Sequence, residues 1–434
     1  MTVMILSVDT KKVEICVYKG AGQSGLVDSD SHNNHWQLNA FSRTKQTNNM
    51  STPLKVFVIG GTGAQGMPVV RGLAQDGKYA VRVLTRDTTS RRARELAAIG
   101  PNVELVPGTF MSEATLRAGF AGCWGAFINI DGFATGEAME TYWTIRCYEL
   151  AIDCGLRFYV HGNLDYSTKL GGYDPKFRGG HYDGKGRMGE WIQMQNASNK
   201  GKPWYKMQIA LFTTGPYIEM ALCQHTPLQP KIEQDEATGE EVVTWRLPLT
   251  PNGAIPHVAL DDCAHYVRWL FDNPDRADGM DLMASMDHIH YDDVAVAFEK
   301  VTGRKARFVD VTMDEYWRDP YWASIADRPC GYMVDPESPA KMTNRENFTG
   351  WWSMWQVSGR NQEPCKRDYA LLDDIFPGRI RTAEEFFRRE DEKRRKAGGG
   401  SLWDVVVNPK PILKIHEDGQ ILQGKRKEKG NVGV

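Results

Sequence analysis

The sequence predicts a doubly wound parallel α/β sheet. Three observations carry that prediction: a buried apolar strand, a glycine turn directly after it, and alternating strand-like and helix-like segments beyond. The strand, Leu54 to Ile59, is a short run of mostly branched apolar residues, as expected where a parallel strand is covered on both faces. Gly61, Gly63 and Gly66 then satisfy Gly-x-Gly-x-x-Gly, and Gly60, Gly63 and Gly66 also satisfy the wider Gly-x-x-Gly-x-x-Gly spacing. Glycines so spaced allow a tight turn, a close approach of backbone to a diphosphate, and close packing of helix on strand. A helix opening near Gln65 offers its free N–H groups and positive dipole end to that diphosphate. Gly60, Gly61, Thr62, Gly63, Ala64, Gln65 and Gly66 are therefore the expected dinucleotide-binding turn. A second strand, Ala80 to Thr85, ends at Arg86, with Arg91 and Arg92 close behind. An NAD site usually has an acidic residue there to accept from the ribose hydroxyl; a guanidinium suits the 2′-phosphate of NADP.

The alternation continues through strands Val103 to Val106 and Trp124 to Ile130, a helix over Glu137 to Cys154, and a fifth strand, Arg157 to His161. A helix over His181 to Gln195 leads to another apolar run, Lys206 to Phe212. The character then changes: Pro, Trp and Tyr become frequent and segments shorten. Lys231 to Leu249 reads as a hairpin turning at Ala237-Thr238-Gly239. Asp292 to Thr302, Met313 to Trp317 and the highly charged Glu384 to Lys396 read as helices, and Gly398 to Gly400 as a hinge. The expected organisation is an N-terminal extension over 1–53, a nucleotide-binding domain over 54–215, a smaller α+β region over 216–396 and a tail over 397–434. Within the extension, Val3 to Val8 and Val13 to Tyr18 suit a small hairpin, and the polar stretch Ser31 to Asn49 suits a disordered linker.

The composition excludes some functions. With 41% hydrophobic and 25% charged residues and a formal net charge of −2, nothing drives the chain generally toward nucleic acid or anionic membranes. Apolar runs such as Val56 to Ile59 fall far short of the roughly 20 residues that span a bilayer. The N-terminus carries no basic leader and no small-residue cleavage site, which points to the cytoplasm. The basic run KRKEK near the end reads as a solvated tail, with a nuclear address as the alternative. Eight cysteines without a Cys-x-x-Cys pair suit reduced thiols, not a disulfide frame or a zinc site; Cys330 and Cys365 lie in loop-like sequence.

Four motifs, IGGTGAQG at Ile59 to Gly66, VRVLTR at Val81 to Arg86, HYDGKGRMGEWI at His181 to Ile192 and TTGPYIEM at Thr213 to Met220, make the chain similar to the NmrA-like family of atypical short-chain dehydrogenases. The resemblance spans about residues 54 to 396. It implies a Rossmann domain binding NADP and a smaller region closing a cleft over the nicotinamide. By position, Gly60 to Gly66 would hold the pyrophosphate and Arg86 the 2′-phosphate. Thr109 and Phe110 would flank the adenine, Asn129 would lie below the ribose, Lys185 would bond the nicotinamide ribose and Tyr217 would lie beside the nicotinamide.

Short-chain dehydrogenases move a proton with a Tyr whose acidity is raised by a Lys four residues later on one helix face. Here His181 stands four residues before Lys185, and Tyr182 stands three before it. Histidine titrates near neutrality and can serve as the acid. Asn163 replaces the usual hydroxyl after the fifth strand; its amide can donate to a carbonyl but cannot relay a proton. Thirteen Trp is a heavy load, and Trp317, Tyr321, Trp322, Trp351, Trp352 and Trp355 suit a wall for a flat apolar substrate, the core of a small region, or hot spots for a protein partner. The family holds reductases, often of fungal secondary metabolism, and NADP-binding co-regulators or sensors. Two functions are thus expected: NADPH-dependent reduction of a hydrophobic carbonyl, imine or activated alkene, or non-catalytic NADP(H) sensing through a protein partner. Neither involves direct contact with nucleic acid or a membrane.

Overall fold

The computed structural model describes residues 4–9, 12–17, 52–362 and 364–414. The expected linker over Ser31 to Asn49 and the KRKEK run lie outside the described residues. Strands β1 (Met4–Asp9) and β2 (Lys12–Val17) pair antiparallel, from Met4 opposite Val17 to Asp9 opposite Lys12, as the sequence predicts. They belong to a unit of their own, Met1–Met50.

The second unit, Ser51–Val434, is built around a seven-stranded sheet. Its elements begin with β3 (Leu54–Ile59), α1 (Gly66–Ala74), β4 (Tyr79–Thr85), α2 (Arg91–Ala97), β5 (Val103–Pro107), α3 (Glu113–Phe120), β6 (Gly125–Ile128), α4 (Gly132–Asp153), β7 (Phe158–Asn163), α5 (Ser167–Leu170), α6 (Gly180–Asn199) and β8 (Gln208–Thr214). The chain leaves β3 toward β4 and β5, then crosses back to lay β6, β7 and β8 on the other side, every pair parallel. That reversal opens a crevice at the carboxyl ends of β3 and β6, where ligands of doubly wound sheets bind. The period of two along β3 decides what covers each face. Val56 and Val58 join the core beneath α1, while Phe57 and Ile59 join the core beneath α3 and α4. The helix expected over Glu137 to Cys154 starts five residues early. Gly136, at φ 75° and ψ 166°, kinks α4, so the regular part begins where the periodicity predicts it.

Downstream come β9 (Lys231–Gln234), β10 (Glu241–Leu247), β11 (Ile255–Pro256), α7 (Leu260–Asp272), α8 (Pro274–Ala277), β12 (Met280–Ala284), β13 (His288–Ile289), α9 (Tyr291–Thr302), β14 (Ala306–Asp310), α10 (Met313–Arg318), α11 (Pro320–Ile325), α12 (Asn344–Trp355), α13 (Tyr369–Ile375), α14 (Ala383–Lys396) and α15 (Leu402–Val407). Two of these return to the first half. Strand β12 pairs with β8 as the last strand of the large sheet, and α7 contributes Cys263, Tyr266, Val267 and Leu270 to the core beneath α1. The predicted hairpin is β9 and β10, extended by β14 on the far side of β10. The start of the expected tail packs on the body as α15. Ser401 caps α15, Leu402 is fully buried, and Gly398 and Gly400, both at positive φ, turn the chain from α14 into it. Among the described residues, no helix is long and apolar enough to cross a membrane.

Candidate functional site

The turn after β3 works because it has no side chains where backbone must pass. Gly60 takes φ +82°, and a Cβ there would stand 2.4 Å from the Asn129 carbonyl oxygen; one on Gly66 would stand 2.1 Å from the carbonyl oxygen of Gly60. The turn closes with the Gly63 N–H donating to Gly60 O at 2.8 Å. No side chain caps α1, so its N-terminus faces the crevice, as an anion site requires. This bare cradle fits a dinucleotide diphosphate.

A cavity of about 350 Å³ starts at this turn. Gly60, Thr62 to Gly66, Arg86, Thr109, Phe110, Asn129, Asn163, His181, Tyr182, Lys185 and Tyr217 all line it. Gly61 does not. A Cβ there would stand 2.6 Å from Val83 Cγ1, so this glycine serves the packing of the turn on β4.

Beneath the turn runs a chain of polar side chains. The Lys185 ammonium donates to Asn129 Oδ1 at 3.1 Å and to Ile130 O at 2.7 Å, and lies 2.7 Å from Glu140 Oε1. Two hydrogen bonds and one ion pair therefore surround the ammonium. Asn129 Nδ2 donates to Gln65 Oε1 at 2.7 Å, and Gln65 Nε2 to the Thr214 hydroxyl at 3.3 Å, which fixes both amides. Glu140 comes from α4 and is buried. Burial pushes its carboxyl up, and the Lys185 charge opposes that shift. Asn163 donates to Thr213 Oγ1 at 2.8 Å, and that hydroxyl donates to Asp281 Oδ1 at 2.5 Å. Burial lifts Asp281 to about 6.

The two expected proton donors sit differently from a paired Tyr and Lys. The backbone N–H and ring Nδ1 of His181 both meet Asn347 Oδ1, at 3.1 and 2.8 Å. A carbonyl oxygen only accepts, so Nδ1 carries the proton and Nε2 is left as an acceptor. Burial holds the ring neutral, with its pKa lowered to about 4. The expectation of an acid near neutrality is thus corrected by burial and by Asn347. Tyr182 is 3% exposed, edge-on to Trp355, and burial raises its phenol well above the usual tyrosine range. Below them His161, at 1% exposure, has no hydrogen-bond partner on either ring nitrogen among the described residues. Burial first, and the Lys185 charge second, lower its pKa to about 3.

The far end of the cavity is aromatic. Phe133 stacks on Phe348 with ring centroids 6.1 Å apart and an interplanar angle of 10°, and Tyr321, Trp322 and Trp351 complete the wall. The expected tryptophans all belong to one buried core, and Trp322 and Trp351 line the cavity as well, whereas Trp317, Trp352 and Trp355 do not. Phe133, Glu140, His225 and Phe348 were not legible as site residues, because only folding brings α4, the loop after β8 and α12 together. His225 adopts φ 62° and stacks on Tyr321 at 4.9 Å. Of the cysteines singled out, Cys365 is fully buried and burial pushes Cys330 up to about 12, so neither is an activated thiol.

A glycine turn at the switch point of a doubly wound sheet defines the dinucleotide-binding Rossmann class. Within that class the chain belongs to the NmrA-like family, whose pattern matches residues 53–326. The NmrA-like family domain-containing oxidoreductase hkm9 of Aspergillus hancockii is 27% identical over 274 residues, covering 59% of this chain and 75% of that protein. Its counterpart malD of Malbranchea aurantiaca is 28% identical over 264 residues, covering 58% and 74%. In fold the chain is similar to NmrA, a negative transcriptional regulator solved with NADP, at TM-score 0.60 and 18% identity, covering 81% of this chain and 99% of that one. It is also similar to the Citrobacter sp. triphenylmethane reductase complexed with NADP(H), at TM-score 0.53 and 13% identity, covering 78% and 99%.

Proposed function

We propose that this protein is an NADP-dependent oxidoreductase that reduces a hydrophobic carbonyl, imine or activated alkene in secondary metabolism. The observation that carries this reading is the continuity of one cavity from the glycine turn, past Lys185, to the aromatic wall of Phe133, Phe348 and Trp351. Gly60 to Gly66 would take the diphosphate, Arg86 the 2′-phosphate, Thr109 and Phe110 the adenine side, and Asn129, Lys185 and Tyr217 the nicotinamide riboside. NADPH bound there supplies a hydride. The chain's own part is to orient both reactants, exclude water with aromatic rings, and fix Lys185 in place against Asn129, Ile130 and Glu140. Fungal relatives named as oxidoreductases, such as hkm9 and malD, support this reading.

The polar groups also favour one kind of substrate. His181 offers an acceptor, Tyr182 a phenol of raised pKa and Asn163 an amide, so none of the three is a ready acid at neutral pH. An iminium or an electron-poor alkene accepts hydride without a simultaneous proton from the protein and suits this lining better than a plain ketone. The test is deuteride transfer. The protein is incubated with NADPH deuterated at nicotinamide C4 and a small-molecule extract, and products are searched for deuterium by mass spectrometry. A labelled product that vanishes with Lys185→Ala supports the reading; no transfer despite nucleotide binding ends it.

A second reading has its own support. Lys185 donates to Asn129 and Ile130 and is ion-paired with Glu140, and His181 is held by Asn347, an arrangement that suits binding NADP(H) without turning it over. A sensor of this kind would meet a protein partner differently with NADP and with NADPH. Equal partner binding with and without nucleotide removes it.

A further inference from the structure

The chain beyond α15 comes back to the nucleotide turn. Residues 408–414 run from the end of α15 to the cavity mouth, where Leu413 and Lys414 join the lining. Two contacts set this course. The Arg92 guanidinium, 6% exposed in the first turn of α2, donates to Ile412 O at 2.8 Å, and the Lys414 ammonium donates to the Thr62 hydroxyl at 2.7 Å. Thr62 belongs to the glycine turn, while Arg86 and Arg92 follow the end of β4. Lys414 therefore brings a cation to the corner between the first strand's turn and the second strand's end. In a Rossmann crevice that corner takes the ribose 2′ position. The segment is tied to the body on its other side as well, since the buried Leu402 donates its N–H to Asp391 Oδ1 at 2.7 Å.

We propose that Lys414 is a specificity-determining residue of the nucleotide site, binding the 2′-phosphate of NADP(H) together with Arg86 and so selecting NADP(H) over NAD(H). Arg92 is the positioning residue, holding the backbone that carries Lys414. This rests on the nucleotide-binding part of the function proposed above and is independent of whether the protein turns the nucleotide over. A phosphate dianion facing two cations is bound by charge-assisted hydrogen bonds that a bare ribose hydroxyl does not form. The glycine motif gives no hint of this residue, which lies 352 positions beyond Thr62 in the chain.

The experiment is direct titration of the full chain, wild type and Lys414→Ala, with NADPH, NADH, adenosine 2′,5′-bisphosphate and ADP, by calorimetry. Lys414→Ala is expected to weaken NADPH and adenosine 2′,5′-bisphosphate about tenfold, the size of one charge-assisted hydrogen bond, and to leave NADH and ADP unchanged. Lys414→Arg, which keeps the charge, should retain most of the preference. Equal weakening of all four ligands, or no change in any, overturns the assignment. If the wild type binds none of them, the nucleotide-binding reading itself falls and takes this one with it; if it binds NADPH but yields no deuterated product, only the reductase reading fails. Arg92→Leu should reproduce part of the loss for the 2′-phosphorylated ligands alone, which a general weakening of the fold would not do.

Discussion

The two ends of the cavity are made of different material. The diphosphate end is mostly backbone: Gly60, Gly63 and Gly66 shape it, and α1 opens there with no side-chain cap. The far end is side chains, with Phe133 from α4, Trp322 from α11, and Phe348 and Trp351 from α12. A backbone site fails when any side chain enters it. A side-chain site degrades by one contact at a time, which is how a family can keep its nucleotide and exchange its substrates.

The largest expected effect is at the backbone end. Gly66→Val should abolish NADPH binding, since a Cβ alone would stand 2.1 Å from Gly60 O. Measurable binding by a folded variant would break the contrast. Next is the polar chain between the two ends. Lys185→Met leaves Glu140 buried without its cation and should cost about 3 kcal/mol of stability along with turnover. Lys185→Met with Glu140→Leu should recover the stability and not the activity; chemical denaturation and deuteride transfer separate the two. At the side-chain end, Phe348→Ala should raise KM about tenfold with little change in kcat, because it removes one wall of the chamber and no reacting group. A collapse of kcat would show that this wall does more than bind.

Titration gives a smaller and sharper effect. The pKa of His161 falls from 6.5 to about 3 in the fold, so the unfolded chain binds the extra proton across that window. Its neutral form is fully accommodated above pH 6.5, and stability is lost as the pH falls toward 3. The stability of wild type relative to His161→Leu should therefore decline on acidification through this range; a difference independent of pH would refute the buried neutral ring. The smallest effect is expected from Tyr182→Phe, within about threefold in kcat/KM, if no phenol proton is transferred. A thousandfold loss would make Tyr182 the acid after all.

The same contrast explains what was legible. The sheet and the glycine turn could be read because their signals are local: a continuous apolar run along β3, and closely spaced glycines where the backbone turns back past itself. The packing of Gly61 against Val83 was not legible, because its spacing fits the motif as well as its neighbours do and the contact depends on the third dimension. The role of His181 turned on Asn347, 166 residues away, and which tryptophans of the buried core also reach the cavity is set by how α10, α11 and α12 pack, which no pattern of tryptophans encodes. Glu140 sits on a helix whose periodicity gives no reason to single it out.

The last strand of the large sheet has a consequence for synthesis. Because β12 spans Met280–Ala284, a ribosome that has released everything through β8 has still not made the strand that covers β8. For some 65 residues of elongation the growing sheet would present a bare parallel edge, the feature most prone to pairing with another chain. A fragment ending at residue 215 would carry that edge permanently, and its solubility on expression, compared with a fragment ending after α8 and β12, would measure the protection that one short strand provides.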